Sequence, residues 1–556
     1  MGPATTNSGG FFADTLKGYG ISHLFYVPFV FESALKPLND AGIIKVMAHH
    51  EVAAAFMADG FARARRGPGV CMAQQVGAAN MAAGLRDAFL ASTPIVCLTG
   101  GTHPDSHYQH LYQMLEDYDM YRAVTKFNAK VETPARLPDL LRQAIREAMS
   151  GTPGPTHLEL PGRTGEGAEG PIDAAVIVEP QFVRLPPYRQ EADASRIEQA
   201  VRLLAAAERP VIVAGGGVIA STAEAEVVKL AEGLRIPVAT SGTGKGTILE
   251  DHPLSLGVMG SYGRRSVNQA VRESDLVFFI GSRAGDMTTD HYSAPPEGAR
   301  VIQLDINPAE IGRIYPVEVA LAGDAKVTLQ RMVEMARPDA DTGPWVRHTQ
   351  HLRDAWVAEQ RTLGSCPGVT MRPERLCWAI SESLPAGGVV VADTGHAGIW
   401  TSTMVQLTRP GQRFIRSFGT LGWAFPASLG VQCALPDQTV VCFTGDGGMY
   451  YHMCELETAA RYGIPAIVVV NNNSALSQVK GALEIQNTCV ADFGRPQECY
   501  SFGDTDFARI ASDMGCVGIR VETPDGLKPA LEEALVARKP TVIDVVTDIE
   551  AMPAWS

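Results

Sequence analysis

Thr439-Val440-Val441-Cys442-Phe443-Thr444-Gly445-Asp446-Gly447-Gly448 is the stretch on which the fold turns. Thr439 to Phe443 reads as a buried strand, and the glycines carry the chain from it into a helix with Met453, Leu456 and Ala460 on the inner face. Such a turn lets the backbone approach an anion closely, and the free N–H groups at the positive end of the helix favour phosphate. The next strand, Ile464 to Val470, ends in Asn471, Asn472 and Asn473. Parallel strands joined by a right-handed helical crossover finish on the same sheet edge, which brings Asp446 to the asparagines. A carboxylate, an amide oxygen and diphosphate oxygens together make a hard site suited to Mg²⁺. Gly-Asp-Gly alone is a common turn and an asparagine run a common solvated loop. Spaced one strand-helix-strand unit apart, they describe a diphosphate clamp.

Outward from this unit, β-branched runs alternate with Ala- and Leu-rich amphipathic runs along the whole chain, the pattern of α/β domains with mainly parallel sheets flanked by helices. At 556 residues the chain exceeds one core, and three domains are expected: 1–165, 190–336 and 365–556. The first holds the runs His23 to Val27, Gly69 to Met72 and Pro94 to Leu98, with a helix from Val52 to Arg66. Gly162 to Tyr188, rich in Pro, Gly and acid, reads as a surface linker. The central block opens at Pro210 to Ala214, and the first and third blocks share one strand and helix rhythm. Hydrophobic residues are 46% and charged residues 19%, so the chain should fold throughout. A net charge of −14 opposes binding to nucleic acid or to an anionic membrane surface. Met1 to Gly10 has no targeting pattern and no apolar run is long enough to span a bilayer, which predicts a cytoplasmic protein. The ten cysteines include no Cys-x-x-Cys, and Cys71, Cys97, Cys433, Cys442 and Cys516 lie in or beside apolar segments, as reduced core residues do.

The Gly-Asp-Gly to Asn-Asn spacing resembles the motif of thiamine-diphosphate-dependent enzymes. With Asn472-Asn473 as the family pair, the resemblance makes Asp446 and Asn473 the side-chain metal ligands and the Ala475 carbonyl the third, with Gly445, Gly447 and Gly448 against the diphosphate. His49-His50-Glu51 and Ala58-Asp59-Gly60-Phe61-Ala62-Arg63 resemble the family segment whose glutamate holds a proton on the aminopyrimidine ring, a role that suits a buried acid; this is Glu51. Gly419-Thr420-Leu421-Gly422 resembles the segment that binds the pyrimidine, with Leu421 wedged under a bent cofactor, and Thr394-Gly395-His396 stands where the family grips the diphosphate. Over essentially the whole chain the resemblance is to the acetolactate synthase, benzaldehyde lyase and oxalyl-CoA decarboxylase group. It implies pyrimidine-binding, central and diphosphate-binding domains, and homodimers or homotetramers with active sites at the dimer interface.

Within that group, Gln113 matches a glutamine near the thiazolium, a hydrogen-bond donor to the reacting centre. Phe29, Val30 and Phe31 put an apolar wall where synthases have glycines and benzaldehyde lyase a histidine, and Leu476, Gln478 and Val479 should face substrate. Val479 replaces the proton-relaying glutamate of pyruvate decarboxylases, and Gly481-Ala482-Leu483 lacks the tryptophan of acetolactate synthases. The expected activity is carboligation or cleavage of a carbon–carbon bond beside a carbonyl, through a ylide and an enamine, on a 2-keto acid, acyloin or diketone. A dicarbonyl hydrolase or an acyl-CoA decarboxylase on the same cofactor is the alternative. Gly215-Gly216-Gly217 and Asp305-Ile306-Asn307 keep FAD or ADP open as a central-domain ligand, and with it a flavin oxidoreductase.

Overall fold

A computed structural model describes residues 6–114, 118–365, 371–485 and 495–553, so Met1 to Thr5 of the polar start lie outside the described residues. Three six-stranded sheets, parallel throughout, carry the chain. Their inner strands are the β-branched runs: Pro210–Ala214, Val389–Ala392 and Ile467–Asn472 are buried along their whole length, as strands covered by helices on both faces must be.

Counting strands 1 to 6 along the chain within each domain, the first sheet runs 2-1-3-4-6-5 and the third has the same order. The central sheet runs 3-2-1-4-5-6, the order of dinucleotide-binding folds. In both outer sheets the order reverses between strands 1 and 3, and the crevice beyond their carboxyl ends is where open α/β sheets bind ligands. In the third domain those ends deliver Asp393 to His396 after Val389–Ala392, and Asp446 after Val440–Gly445.

The outer domains meet through helices Glu51–Arg65 and Ala424–Ala434, whose backbones approach at two glycines. A Cβ on Gly430 would lie 1.8 Å from the Met57 carbonyl oxygen, and one on Gly60 2.0 Å from that of Ala427. The helix Gly343–Gly364 is a strut: Trp345 donates its indole N–H to the Pro210 carbonyl (3.0 Å) in the central domain, and Trp356 lies in the third domain's core.

Three local expectations are corrected. Residues 162–188 are not a free surface linker: Pro171–Ile172 pairs antiparallel with Thr6–Asn7, and Ala168, Ile172 and Phe182 are buried in the first domain's core. The apolar residues dispersed among the prolines and acids anchor this strap. The helix after Gly448 is two short helices, Asp446–His452 and Glu455–Tyr462, and Ala459 rather than Ala460 is buried. The next strand begins at Ile467, not Ile464, and extends through Asn472.

Candidate active site

Strand Val440–Gly445 ends at the switch point, and Asp446 begins the following helix, 3% exposed. Its carboxylate accepts N–H groups from Gly447 (2.6 Å), Ala475 (3.0 Å) and Asn473 (3.2 Å). Burial pushes the carboxyl up to about 6, with those N–H groups acting in the opposite sense. The two glycines have no room for side chains: a Cβ on Gly447 would meet Leu476 at 2.5 Å, and one on Gly448 would meet Thr444 Oγ1 at 2.4 Å and Asp393 Oδ2 at 2.7 Å.

Strand alternation sorts the asparagines. Asn472 points away from the site and donates to Asp544 and to the Thr505 carbonyl, each at 2.9 Å. Asn471 and Asn473 face the other way and both line a cavity of about 470 Å³. Asn471, which the motif treats as an extra residue, is 4% exposed, and its Oδ1 has no hydrogen-bond partner among the described residues. No cluster of three His, Cys, Asp or Glu occurs among those residues. The oxygen set of Asp446, Asn473, the Ala475 carbonyl and the orphaned Asn471 Oδ1 therefore fits a hard cation rather than a soft one.

Thr394, Gly395, His396, Gly419, Leu421, Gly445, Gly447, Gly448, Ala475, Leu476, Gln478 and Val479 line the same cavity. Gly395, at φ 68°, caps the helix His396–Met404. Burial lowers the His396 imidazole to about 4, so it is neutral at ordinary pH, with Nδ1 3.1 Å from Ser477 Oγ. The opposite wall comes from the central domain, through Ser241, Thr243, Met259 and Tyr262.

The residues expected from the first domain do not line this cavity. Glu51 stands at the carboxyl edge of that domain's own sheet, its Oε2 accepting from Asn80 Nδ2 (3.1 Å) and its Oε1 packed where a Cβ on Gly77 would come within 2.4 Å. Gln113 sits in a loop after the same edge at φ 66°, its buried Oε1 without a partner among the described residues. Val30 and Phe31 are wholly buried in the first domain's core, Phe31 edge-on to Phe12 at 5.6 Å. Phe29, half-buried against Tyr26 at 5.0 Å, is the one of the three with surface to offer.

Sequence reasoning missed Asp393, Asp87, Tyr262 and Arg416. Asp393 is wholly buried beneath the glycine turn and accepts from Thr394 N (2.8 Å), Thr444 Oγ1 (3.0 Å) and Gly422 N (3.2 Å). Its position just past a strand's carboxyl end was a readable signal. Asp87 and Tyr262 had none, because each reaches the site region from a distant part of the chain, and Arg416, three residues before Gly419, lies just outside the motif.

Three family models match: thiamine pyrophosphate enzyme, N-terminal TPP binding domain, over residues 6–120; central domain, over 197–332; and C-terminal TPP binding domain, over 393–545. The chain is 33% identical to a probable acetolactate synthase large subunit of Methanocaldococcus jannaschii, covering 97% of this chain and 91% of that protein. It is 30% identical to the acetolactate synthase large subunit of Haemophilus influenzae (96% and 93% covered) and to the isozyme 2 large subunit of Escherichia coli (96% and 94%).

Proposed function

The chain belongs to the thiamine pyrophosphate enzymes as a carboligase of the acetolactate synthase type, and from that premise we propose that it joins 2-oxo acids at their carbonyl carbons, using Mg²⁺ to hold the cofactor. The observation that carries the metal and cofactor reading is the oxygen set around Asp446, with the buried, unpartnered Asn471 Oδ1 on a residue lining the same cavity. The comparisons do not favour a hydrolase, an acyl-CoA decarboxylase or a flavin oxidoreductase. The Gly215–Gly217 turn packs on the domain's own backbone, where a Cβ on Gly215 would meet the Gly281 carbonyl oxygen at 2.2 Å.

Bound thiamine diphosphate supplies a nucleophilic carbon and an electron sink beside the substrate carbonyl. The protein holds and shields it. Asp446, Asn473 and the Ala475 carbonyl would hold the cation, while the backbone of Gly445 to Gly448 and Thr394 to Gly395 and the neutral His396 would grip the diphosphate. Gly419 and Leu421 seat the pyrimidine ring, and Leu476 and Val479 exclude water from the reacting end. Glu51 holds the proton that sets the ring's basicity, and Gln113 donates to the reacting oxygen.

Glu51 and Gln113 come from a second copy of the chain. No described residue of the first domain lines the cavity, and the edge that carries Glu51 leaves Tyr108 83%, Tyr112 79% and Val76 51% exposed, apolar surface that calls for a partner. A homodimer, or a tetramer of two such dimers, supplies it. No helix among the described residues is long and apolar enough to cross a membrane, and the described cysteines are unpaired, as a reducing cytoplasm keeps them. The test is to load the protein with thiamine diphosphate and Mg²⁺, supply pyruvate and identify products by mass spectrometry. Acetolactate is the expected product; free acetaldehyde alone, or unconsumed pyruvate, overturns the reading.

A further inference from the structure

The cavity wall opposite the glycine turn carries a cation that the cofactor grip does not use. Arg416 ends strand Arg413–Arg416, level with Ala392 in the sheet and three residues before Gly419. Its Nε donates to the Ser417 carbonyl at 3.1 Å, and its guanidinium carbon stands 5.0 Å from the centre of the Tyr262 ring. Glycine makes room for both groups: a Cβ on Gly242 would come 2.6 Å from Arg416 Nη1, and one on Gly398 would come 3.2 Å from Tyr262 Cε2. The Tyr262 hydroxyl lies 3.4 Å from Gln478 Nε2. Arg416, Tyr262 and Gln478 thus form one polar row, drawn from three separate segments, and all three line the cavity.

Among the described residues no carboxylate forms an ion pair with Arg416. The nearby Asp87 is engaged by Arg63 at 3.1 Å and by the backbone N–H of Phe418 at 3.0 Å. Burial moves the guanidinium below its usual range. Asp87 therefore acts on the half-buried Arg416 through space alone, and an anion in the cavity would be a direct ionic partner for it.

We propose that Arg416, with Tyr262 and Gln478, is the subsite for the carboxylate of the 2-oxo acid substrate. A planar guanidinium presents the paired donors that a carboxylate accepts, while the phenol and the amide add donors beside it. The inference rests on the carboligase reading in taking the anion to be a substrate's. It goes beyond that reading in naming the groups that separate an acid from a neutral carbonyl compound.

The test uses wild type, Arg416→Gln and Arg416→Lys, each loaded with thiamine diphosphate and Mg²⁺. Calorimetry measures binding of pyruvate and of its neutral ester methyl pyruvate, and product formation is followed alongside. Arg416→Gln should weaken pyruvate by roughly ten- to hundredfold while methyl pyruvate changes less than about twofold. Cofactor affinity should be unchanged. Arg416→Lys, which keeps the charge and supplies a folded variant if the glutamine does not, should fall between the two. Equal weakening of both ligands, or none for pyruvate, overturns the proposal. Pyruvate bound through Arg416 without a condensed product would sink the carboligase reading and leave this subsite standing; condensation indifferent to position 416 would do the reverse.

Discussion

The Asp87 carboxylate, on a helix of the first domain, accepts the backbone N–H of Phe418 in the third, with Oδ2 3.0 Å from that nitrogen. Ser417 Oγ donates to the same oxygen at 3.1 Å, and Arg63 Nη2 balances the charge at Oδ1, also at 3.1 Å. The helix that carries Asp87, Ala78–Leu90, holds Glu51 near its other end through Asn80. Asp87 is therefore a positioning residue for the Gly419 to Leu421 loop. Asp87→Ala should weaken thiamine diphosphate by about tenfold and destabilise the fold by roughly 2 kcal/mol, because it takes the acceptor from the Phe418 N–H and one of the two carboxylates from Arg63, which keeps Asp59 at 2.7 Å. Asp87→Asn should recover much of the stability. Calorimetric titration of the cofactor and denaturant melts check both.

Glu51→Gln should lower kcat by about 10² or more with little change in cofactor affinity, since the amide keeps the shape and loses the proton. If two copies share each site, mixing Glu51→Gln with an inactive Asp446→Ala protein by co-expression should restore about a quarter of wild-type activity, because a mixed dimer keeps one intact site. A site built within one chain would restore none.

Chelation should abolish activity, and added Mg²⁺ should restore it. Asp446→Ala should raise the Mg²⁺ needed for half-saturation by at least about a hundredfold, and Asn471→Ala, which removes a neutral oxygen, by about tenfold. Cofactor binding measured across a Mg²⁺ series reads both.

Gly430→Ala should cost about 3 kcal/mol, since its Cβ would lie 1.8 Å from the Met57 carbonyl oxygen between two packed helices. Gly285→Ala, where nothing lies within 4 Å, is the matched control and should be near neutral. Urea unfolding midpoints compare them.

Burial raises the Asp393 carboxyl from 3.8 to about 7, so the folded state prefers the protonated acid. The resulting stability is fully present below pH 3.8 and is lost as pH rises through 7. Relative to Asp393→Asn, which does not titrate, the cofactor-free wild type should lose up to about 4 kcal/mol between pH 4 and pH 8. Melts of the pair across that range give the difference directly, with the buried histidines common to both.

The sequence by itself determined the parallel α/β class and the place of Asp446, because a β-branched run, a glycine turn and a helix are neighbours in the chain and their geometry follows from local stereochemistry. It placed a carboxylate and an amide oxygen at one sheet edge for the same reason. Which asparagine faces the cavity was not local: it follows from the register of strand Ile467–Asn472, which turns Asn471 and Asn473 inward and Asn472 toward Asp544. Val30 and Phe31 were read as pocket wall from their position in a motif, and the first domain's core encloses both. Tertiary structure alone decided that Asp87 supports the Gly419 loop, that Arg416 meets Tyr262, and that Glu51 stands outside the cavity of its own chain. Those relations join residues more than a hundred positions apart, and only the packing of one domain on another gives them a distance.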